Sequence, residues 1–209
     1  RIDQMAPQKL DLALFGMGCF LGCEPRLGVT RGVWKTVVGY AGGRYESPSY
    51  GDVGDHTETV MIEYDPLAIS YGQLLELFFL WHSPSKKPAL SQHSSCIFVK
   101  NETERRLAQA AIERYNLHTG IPSRTQVATF RAFYAGENWC QKYFLRTVPW
   151  LVQELQNFYR DEESLIQSTL AMRLNGILGY FSPSTSSLPR CLPENIEFYD
   201  LSEETLRAL

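Results

Sequence analysis

The chain has 209 residues, 44% hydrophobic and 21% charged, with a formal net charge of −3. That is an ordinary globular balance, long enough to bury a core, and it suggests one domain with room for an extension. Acidic and basic residues are mixed along the chain, which argues against a nucleic-acid partner, and no apolar run approaches the roughly 18 residues of a membrane span.

Leu10–Phe15 is apolar and predicts a strand, and Cys19 to about Leu27 predicts a short helix. Gly32–Tyr40, rich in Val, Trp and Tyr, predicts a second strand, broken by Ala41-Gly42-Gly43. A polar loop through Ser47-Pro48-Ser49-Tyr50-Gly51 follows. Thr57–Tyr64 alternates, with Val60, Ile62 and Tyr64 on one face, and predicts a third strand. Ser70-Tyr71-Gly72-Gln73 is a capping box, and its helix should run to about His82. After a Pro-containing loop, Cys96–Val99 predicts a short strand. Asn101 caps a further helix, with Leu107, Ala111 and Tyr115 on one face, and Thr125–Phe130 predicts a last strand. Helical periodicity dominates from Glu137 to about Leu178, with Trp150, Leu151, Leu155 and Phe158 as one apolar stripe. Ser182–Leu188 is rich in Ser and Pro and reads as a linker to the tail.

Five cysteines, Cys19, Cys23, Cys96, Cys140 and Cys191, are odd in number and scattered. They do not form a secreted disulfide framework, and a reducing compartment with redox-active thiols fits better. The first ten residues lack a signal peptide's apolar core, and the chain starts at Arg1. The expected location is the cytoplasm, or a mitochondrion or other organelle if an upstream segment has been removed.

Gly18-Cys19-Phe20-Leu21-Gly22 stands where a strand meets a helix. Unpaired N–H groups and the positive end of the helix dipole favour thiolate there, which predicts a lowered pKa and a reactive centre for Cys19. A small buried hydrophobe is the alternative. Cys19 and Cys23 have helical metal-ligand spacing, but no close Cys/His pair completes a tetrahedral set, so no metal is expected.

Several segments together resemble the A-type peptide methionine sulfoxide reductases. They are Gly16-Met17-Gly18-Cys19-Phe20-Leu21-Gly22-Cys23-Glu24, Val38-Gly39-Tyr40-Ala41-Gly42-Gly43, the Ser47-Pro48-Ser49-Tyr50 loop and His56-Thr57-Glu58. Tyr64-Asp65-Pro66 through Leu74-Leu75, and Phe133-Tyr134 with Glu137 and Gln141-Lys142-Tyr143, extend it over roughly residues 10–146. The resemblance implies thiol-dependent reduction of methionine S-sulfoxide, free or in protein, without a cofactor. Cys19 would be the nucleophile, Glu58 the proton donor, Tyr50 the hydrogen-bond partner of the sulfoxide oxygen, and Phe20 a holder of the substrate methyl group. A carboxyl set among aromatic side chains suits the donor role. Cys19 would become a sulfenic acid, then a disulfide returned to thiol by thioredoxin or a similar reductant. The resolving cysteine would be Cys191, beyond the linker, or Cys23, whose place on the helix of Cys19 strains a disulfide.

The chain also departs from the family pattern. Leu21 replaces a Trp, so the methyl pocket should be more aliphatic. Gln92-His93-Ser94-Ser95 stands in place of Gln-Tyr-Arg-Ser, Pro88 falls near a missing aspartate, and Cys140 replaces a His. His93 is either an oxyanion donor or an ordinary loop histidine. Asn175-Gly176-Ile177-Leu178-Gly179-Tyr180 resembles the family's Gly-rich C-terminal segment but has no cysteine. These changes keep two other readings open: a reductase of a non-peptide sulfoxide or other small oxidised substrate, and a binding or regulatory protein on the same scaffold. The expected fold is α/β (α+β), a two-layer sandwich with a mixed sheet. Residues 1–146 form the catalytic domain, and residues 147–209 a helical extension and tail packed on it. A monomer without nucleic-acid or membrane partners is expected.

Overall fold

A computed structural model describes residues 2–180 of the chain. Its strands are β1 (Asp11–Met17), β2 (Val33–Ala41), β3 (Thr57–Tyr64), β4 (Ser95–Val99), β5 (Gln126–Thr129) and β6 (Phe133–Ala135). They form one sheet in the order β5-β4-β1-β3-β2-β6. Every pairing is antiparallel except β4 with β5, so the sheet is mixed as expected. That parallel pair needs a crossover, which α3 (Glu102–Thr119) supplies.

Helices cover one face. Phe15, Val60, Ile62 and Tyr64 of the sheet meet Phe20 and Leu27 of α1 (Phe20–Gly28), Leu74 and Phe78 of α2 (Tyr71–Trp81), and Ala108 of α3. The opposite face carries a smaller cluster around Leu14, Ala41, Cys96 and Phe98. Ser70 and Gln73 form the reciprocal capping box of α2, the Ser70 hydroxyl accepting from Gln73 N–H and the Gln73 carbonyl accepting from Ser70 N–H. The Asn101 side chain caps α3. No helix among the described residues is long and apolar enough to cross a membrane.

Several sequence expectations need correction. β6 was not predicted, because three residues carry too little alternation to register. The buried face of α3 is Glu104, Ala108 and Ala111, while Leu107 is exposed; small residues let α3 lie close to the sheet. The periodic stretch from residue 137 divides into α4 (Tyr143–Arg146), α5 (Pro149–Gln156), α6 (Glu162–Ile166) and α7 (Thr169–Tyr180). Leu151 and Leu155 are buried with Leu165, Leu170 and Leu174, but Trp150 points outward. Residues 175–180 form the end of α7, in line with the helical periodicity that reaches about Leu178. Gly176 is required there by close approach: a Cβ would meet Val29 Cγ1 at 2.7 Å and the Pro25 carbonyl oxygen at 2.9 Å, so α7 lies directly on α1.

Polar contacts fix that crossing. The Arg173 guanidinium donates to the carbonyls of Gly28, Thr30 and Val33, satisfying the open C-terminal end of α1. Asp3 accepts from Thr169 N–H at 2.6 Å, so the N-terminal turn caps α7. Beneath lies a fully buried ion pair, Lys142 Nζ to Glu24 Oε1 at 2.6 Å, with Nζ also donating to the Thr36 carbonyl. Lys142 holds φ of 54°, in the left-handed region uncommon for a side-chain-bearing residue.

Replacing Lys142 with Met should cost about 3–5 kcal/mol, because it strands the Glu24 carboxylate in the core. Urea unfolding monitored by circular dichroism tests this, and a loss below about 1 kcal/mol would mean that the pair is dispensable.

Candidate active site

Cys19 is the N-cap of α1, after a turn in which Gly18 takes φ of +98°. Its side chain does not cap the helix. Glu58 does so instead: its Oε2 accepts from Phe20 N–H at 3.0 Å. Glu58 lies on β3 in phase with Val60, Ile62 and Tyr64, so the alternation that builds the core also carries this carboxylate inside, where it is 1% exposed. Its Oε1 accepts from the Gln92 amide at 3.1 Å and lies 3.0 Å from His93 Nε2. Cys19 Sγ, a Glu58 carboxylate oxygen and a His93 ring nitrogen are all within 4.8 Å of one another. His93, on the short turn Ser91–His93, thus lies against the Glu58 carboxylate.

Aromatic rings surround this group. Phe20 is buried, with its ring centroid 5.7 Å from Tyr40 and 6.4 Å from the stacked Tyr50. Tyr50 is 40% exposed and meets the exposed Trp139 edge-on at 4.7 Å. Leu21 is half-buried against the core cluster. The site therefore brings together Cys19, Phe20, Tyr50, Glu58 and His93.

Two further residues serve the site, and sequence reasoning gave them no role. Glu137 accepts from Tyr50 N–H at 2.8 Å through one oxygen and from Tyr40 OH at 2.9 Å through the other, tying the Tyr50 loop to the sheet. Trp139 supplies the outer ring. Glu137 stood within a recognised motif, but only the fold reveals its partner. His56, also in a motif, is structural. Its Nδ1 accepts from Gly43 N–H, so its Nε2 carries the proton toward the Tyr45 carbonyl.

The electrostatics correct the first expectation. Burial pushes the Cys19 thiol above the ordinary cysteine range, and the charge and hydrogen bond of Glu58 add to it. The N–H groups of Leu21 and Gly22 pull the other way and lose. Helix position alone thus misjudges the sign, since it leaves out the burial of the thiol, to which the Glu58 carboxylate of β3 adds. Burial also pushes Cys23 up to about 12, and its thiol donates to the Met17 carbonyl at 3.3 Å, away from reaction. Cys140 is buried beside Glu137 and likewise pushed up to about 12 by burial. Cys191 lies outside the described residues.

The family model for peptide methionine sulfoxide reductase matches residues 11–168 of this chain. Among curated proteins, it is 38% identical to peptide methionine sulfoxide reductase A5 of Arabidopsis thaliana over 182 residues, 83% of this chain and 70% of that one. It is 39% identical to the Drosophila melanogaster peptide methionine sulfoxide reductase over 168 residues, 79% of this chain and 67% of the relative. Among solved structures, reduced Mxr1 from Saccharomyces cerevisiae superposes with a TM-score of 0.62 at 26% identity, covering 69% of this chain and 88% of that chain.

Because Glu58 raises the Cys19 pKa, Glu58→Gln should lower it. Alkylation of Cys19 by iodoacetamide, followed by peptide mass mapping across pH in chelator-containing buffer, should show its midpoint shift downward. An unmoved midpoint would assign Glu58 to helix capping alone.

Proposed function

The chain belongs to the peptide methionine sulfoxide reductase family, and from that premise we propose how its own residues carry the reaction. Its activity is reduction of methionine sulfoxide to methionine. In our reading the substrate is the S-epimer and Cys19 is the nucleophile. The supporting observation is the contact of the Cys19 thiol with the buried Glu58 carboxylate beneath the rings of Phe20 and Tyr50.

Cys19 and Glu58 hold one negative charge between them more easily than two. The productive arrangement is thiolate with carboxylic acid, reached by passing the thiol proton to Glu58. The thiolate then attacks the sulfoxide sulfur while Glu58 delivers that proton to the oxygen, a charged leaving group otherwise. The sulfoxide gains two electrons and leaves as the thioether. The oxygen passes to Cys19 Sγ as the bond between the two sulfurs breaks, so Cys19 loses two electrons and is left as a sulfenic acid. Tyr50 and His93 offer hydrogen bonds to the oxygen, and Phe20 and Leu21 offer apolar surface to the methyl group. The exposed rings of Tyr50 and Trp139 give neighbouring residues of a polypeptide a place to lie, which favours peptide-borne over free substrate.

A second thiol then condenses with the sulfenic acid, releasing water and forming a disulfide. We assign this to Cys191, with Cys23 second because its thiol is fixed toward Met17. Thioredoxin or a similar dithiol reductant completes the cycle. The working unit in this proposal is a monomer in a reducing compartment such as the cytoplasm, with no nucleic-acid or membrane partner. Residues 1–146 form its catalytic domain, and residues 147–209 an extension belonging to the same unit. The contact of α7 with α1 supports that division.

With dithiothreitol as reductant and separated epimers, the protein should yield methionine from the S-sulfoxide only. Cys19→Ser should yield none. Glu58→Gln should slow single-turnover release by roughly 10²–10⁴-fold. Turnover of the Cys19 variant at the native rate would remove the nucleophile assignment.

Cys191→Ser should release its first equivalent of methionine normally and then stall with thioredoxin, while dithiothreitol still supports turnover. Mass mapping of the oxidised native protein should find Cys19 joined to Cys191. A Cys19–Cys23 bridge would reverse the assignment.

A further inference from the structure

The three groups that meet at Glu58 are also a metal-ligand set. Cys19 Sγ, a Glu58 oxygen and a His93 ring nitrogen come from the N-cap of α1, from β3 and from the short helical turn Ser91–His93. The Cys19/Cys23 pair does not contribute to it, because Cys23 is turned toward the Met17 carbonyl. We propose that Cys19, Glu58 and His93 form a zinc site that holds the enzyme in a reversible inactive state, with the fourth coordination position open to solvent.

The donor set selects the ion. One thiolate, one imidazole and one carboxylate suit Zn²⁺, whereas Mg²⁺ and Ca²⁺ favour oxygen ligands throughout. The spacing is close to what is needed. Bonds of about 2.0–2.3 Å at tetrahedral angles place neighbouring ligand atoms about 3.3–3.6 Å apart. His93 Nε2 and Glu58 Oε1 are already 3.0 Å apart, and all pairs lie within 4.8 Å, so side-chain adjustment closes the set. The site is also supported from behind. Phe20 N–H holds one Glu58 oxygen and the Gln92 amide orients the other, the kind of outer contact that fixes a ligating carboxylate. Cys19 and His93 are both partly exposed, which leaves the ion a way in. A dication also offsets the negative charge of a thiolate and a carboxylate ligand held together.

Binding releases the Cys19 proton to solvent and places the thiolate electron pair in a Zn–S bond. Glu58, now ligated, no longer carries a transferable proton. Attack on a sulfoxide and protonation of its oxygen stop together, and chelation restores both. Zinc binding itself stands on geometry alone; the loss of activity rests on Cys19 and Glu58 acting as proposed above.

The test uses the full chain, reduced and stripped of metal. Zn²⁺ affinity is read by competition with a chromogenic zinc indicator, and the ligand set by the thiolate-to-metal charge-transfer band of the Co²⁺ form. One equivalent should bind. Cys19→Ser, Glu58→Gln and His93→Tyr should each weaken binding by at least about tenfold, and the Co²⁺ band should vanish in Cys19→Ser. Cys23→Ser should bind as the native protein does. Circular dichroism verifies that each variant is folded, and His93→Tyr, on a partly exposed turn, keeps the test decisive if the other two are not. Absence of saturable binding, unchanged affinity in His93→Tyr, or loss of binding in Cys23→Ser would each overturn the site. Sulfoxide reduction should fall in step with zinc occupancy and return with chelator; full activity at saturating zinc would overturn the inactive state. Failure of the metal-free protein to reduce sulfoxide would defeat the catalytic reading instead, and the binding series decides the zinc site regardless.

Discussion

Glu24 is an ionisable side chain in the core, and the position of α1 follows from the way it is satisfied. Its Oε1 accepts from Lys142 Nζ and from the Thr36 hydroxyl, and its Oε2 accepts from Lys142 N–H and the Asn175 amide. These donors come from β2, from the turn before α4 and from α7. A buried carboxylate that lost any of them would carry a large desolvation cost, so α1 has one pose in which all are met. Cys19 is the N-cap of the same helix, little more than a turn before Glu24, so the position of its sulfur follows from the contacts that Glu24 makes.

Three glutamates near one another take three roles, decided by surroundings rather than residue type. Glu24 is matched by a lysine and serves structure. Glu137 divides its oxygens between Tyr40 and the Tyr50 backbone and holds a loop; those hydrogen bonds keep its pKa below the usual carboxylate range against the opposing effect of burial. Among the described residues, Glu58 has no lysine or arginine as a hydrogen-bond partner; it meets the Phe20 N–H, the Gln92 amide, His93 and the Cys19 thiol. Its partners are thus polar groups of the site and not a fixed cation.

Much of this was legible in the sequence where the governing contacts are local. β3 has the predicted bounds because period-two alternation is a property of adjacent residues, and α2 starts where its capping box says. Cys19, Tyr50 and Glu58 were readable through motifs, and Glu58 also through its phase with Val60 and Ile62. The remainder depends on distant partners. Leu107 and Ala108 are one position apart on α3, and which of them faces inward is set by how closely the sheet approaches. The Cys19 pKa reverses direction because the folded chain buries the thiol and sets Glu58, from β3, beside it. The approach of His93 to Glu58 joins residues 35 positions apart, and no spacing rule encodes it.

The lock on α1 by α7 has a consequence in time. Asn175 reaches back 151 residues to Glu24, Arg173 reaches 145 to Gly28, and Thr169 reaches 166 to Asp3. A nascent chain that has emerged only through residue 146 contains every motif of the site, yet its Glu24 lacks a donor and the end of α1 is unclasped. Closing such long loops is the slow, entropically costly part of folding. During synthesis α1 therefore appears well before the contacts from α7 fasten it. Maturation of the site is timed by completion of α7, long after the cysteine itself has left the ribosome.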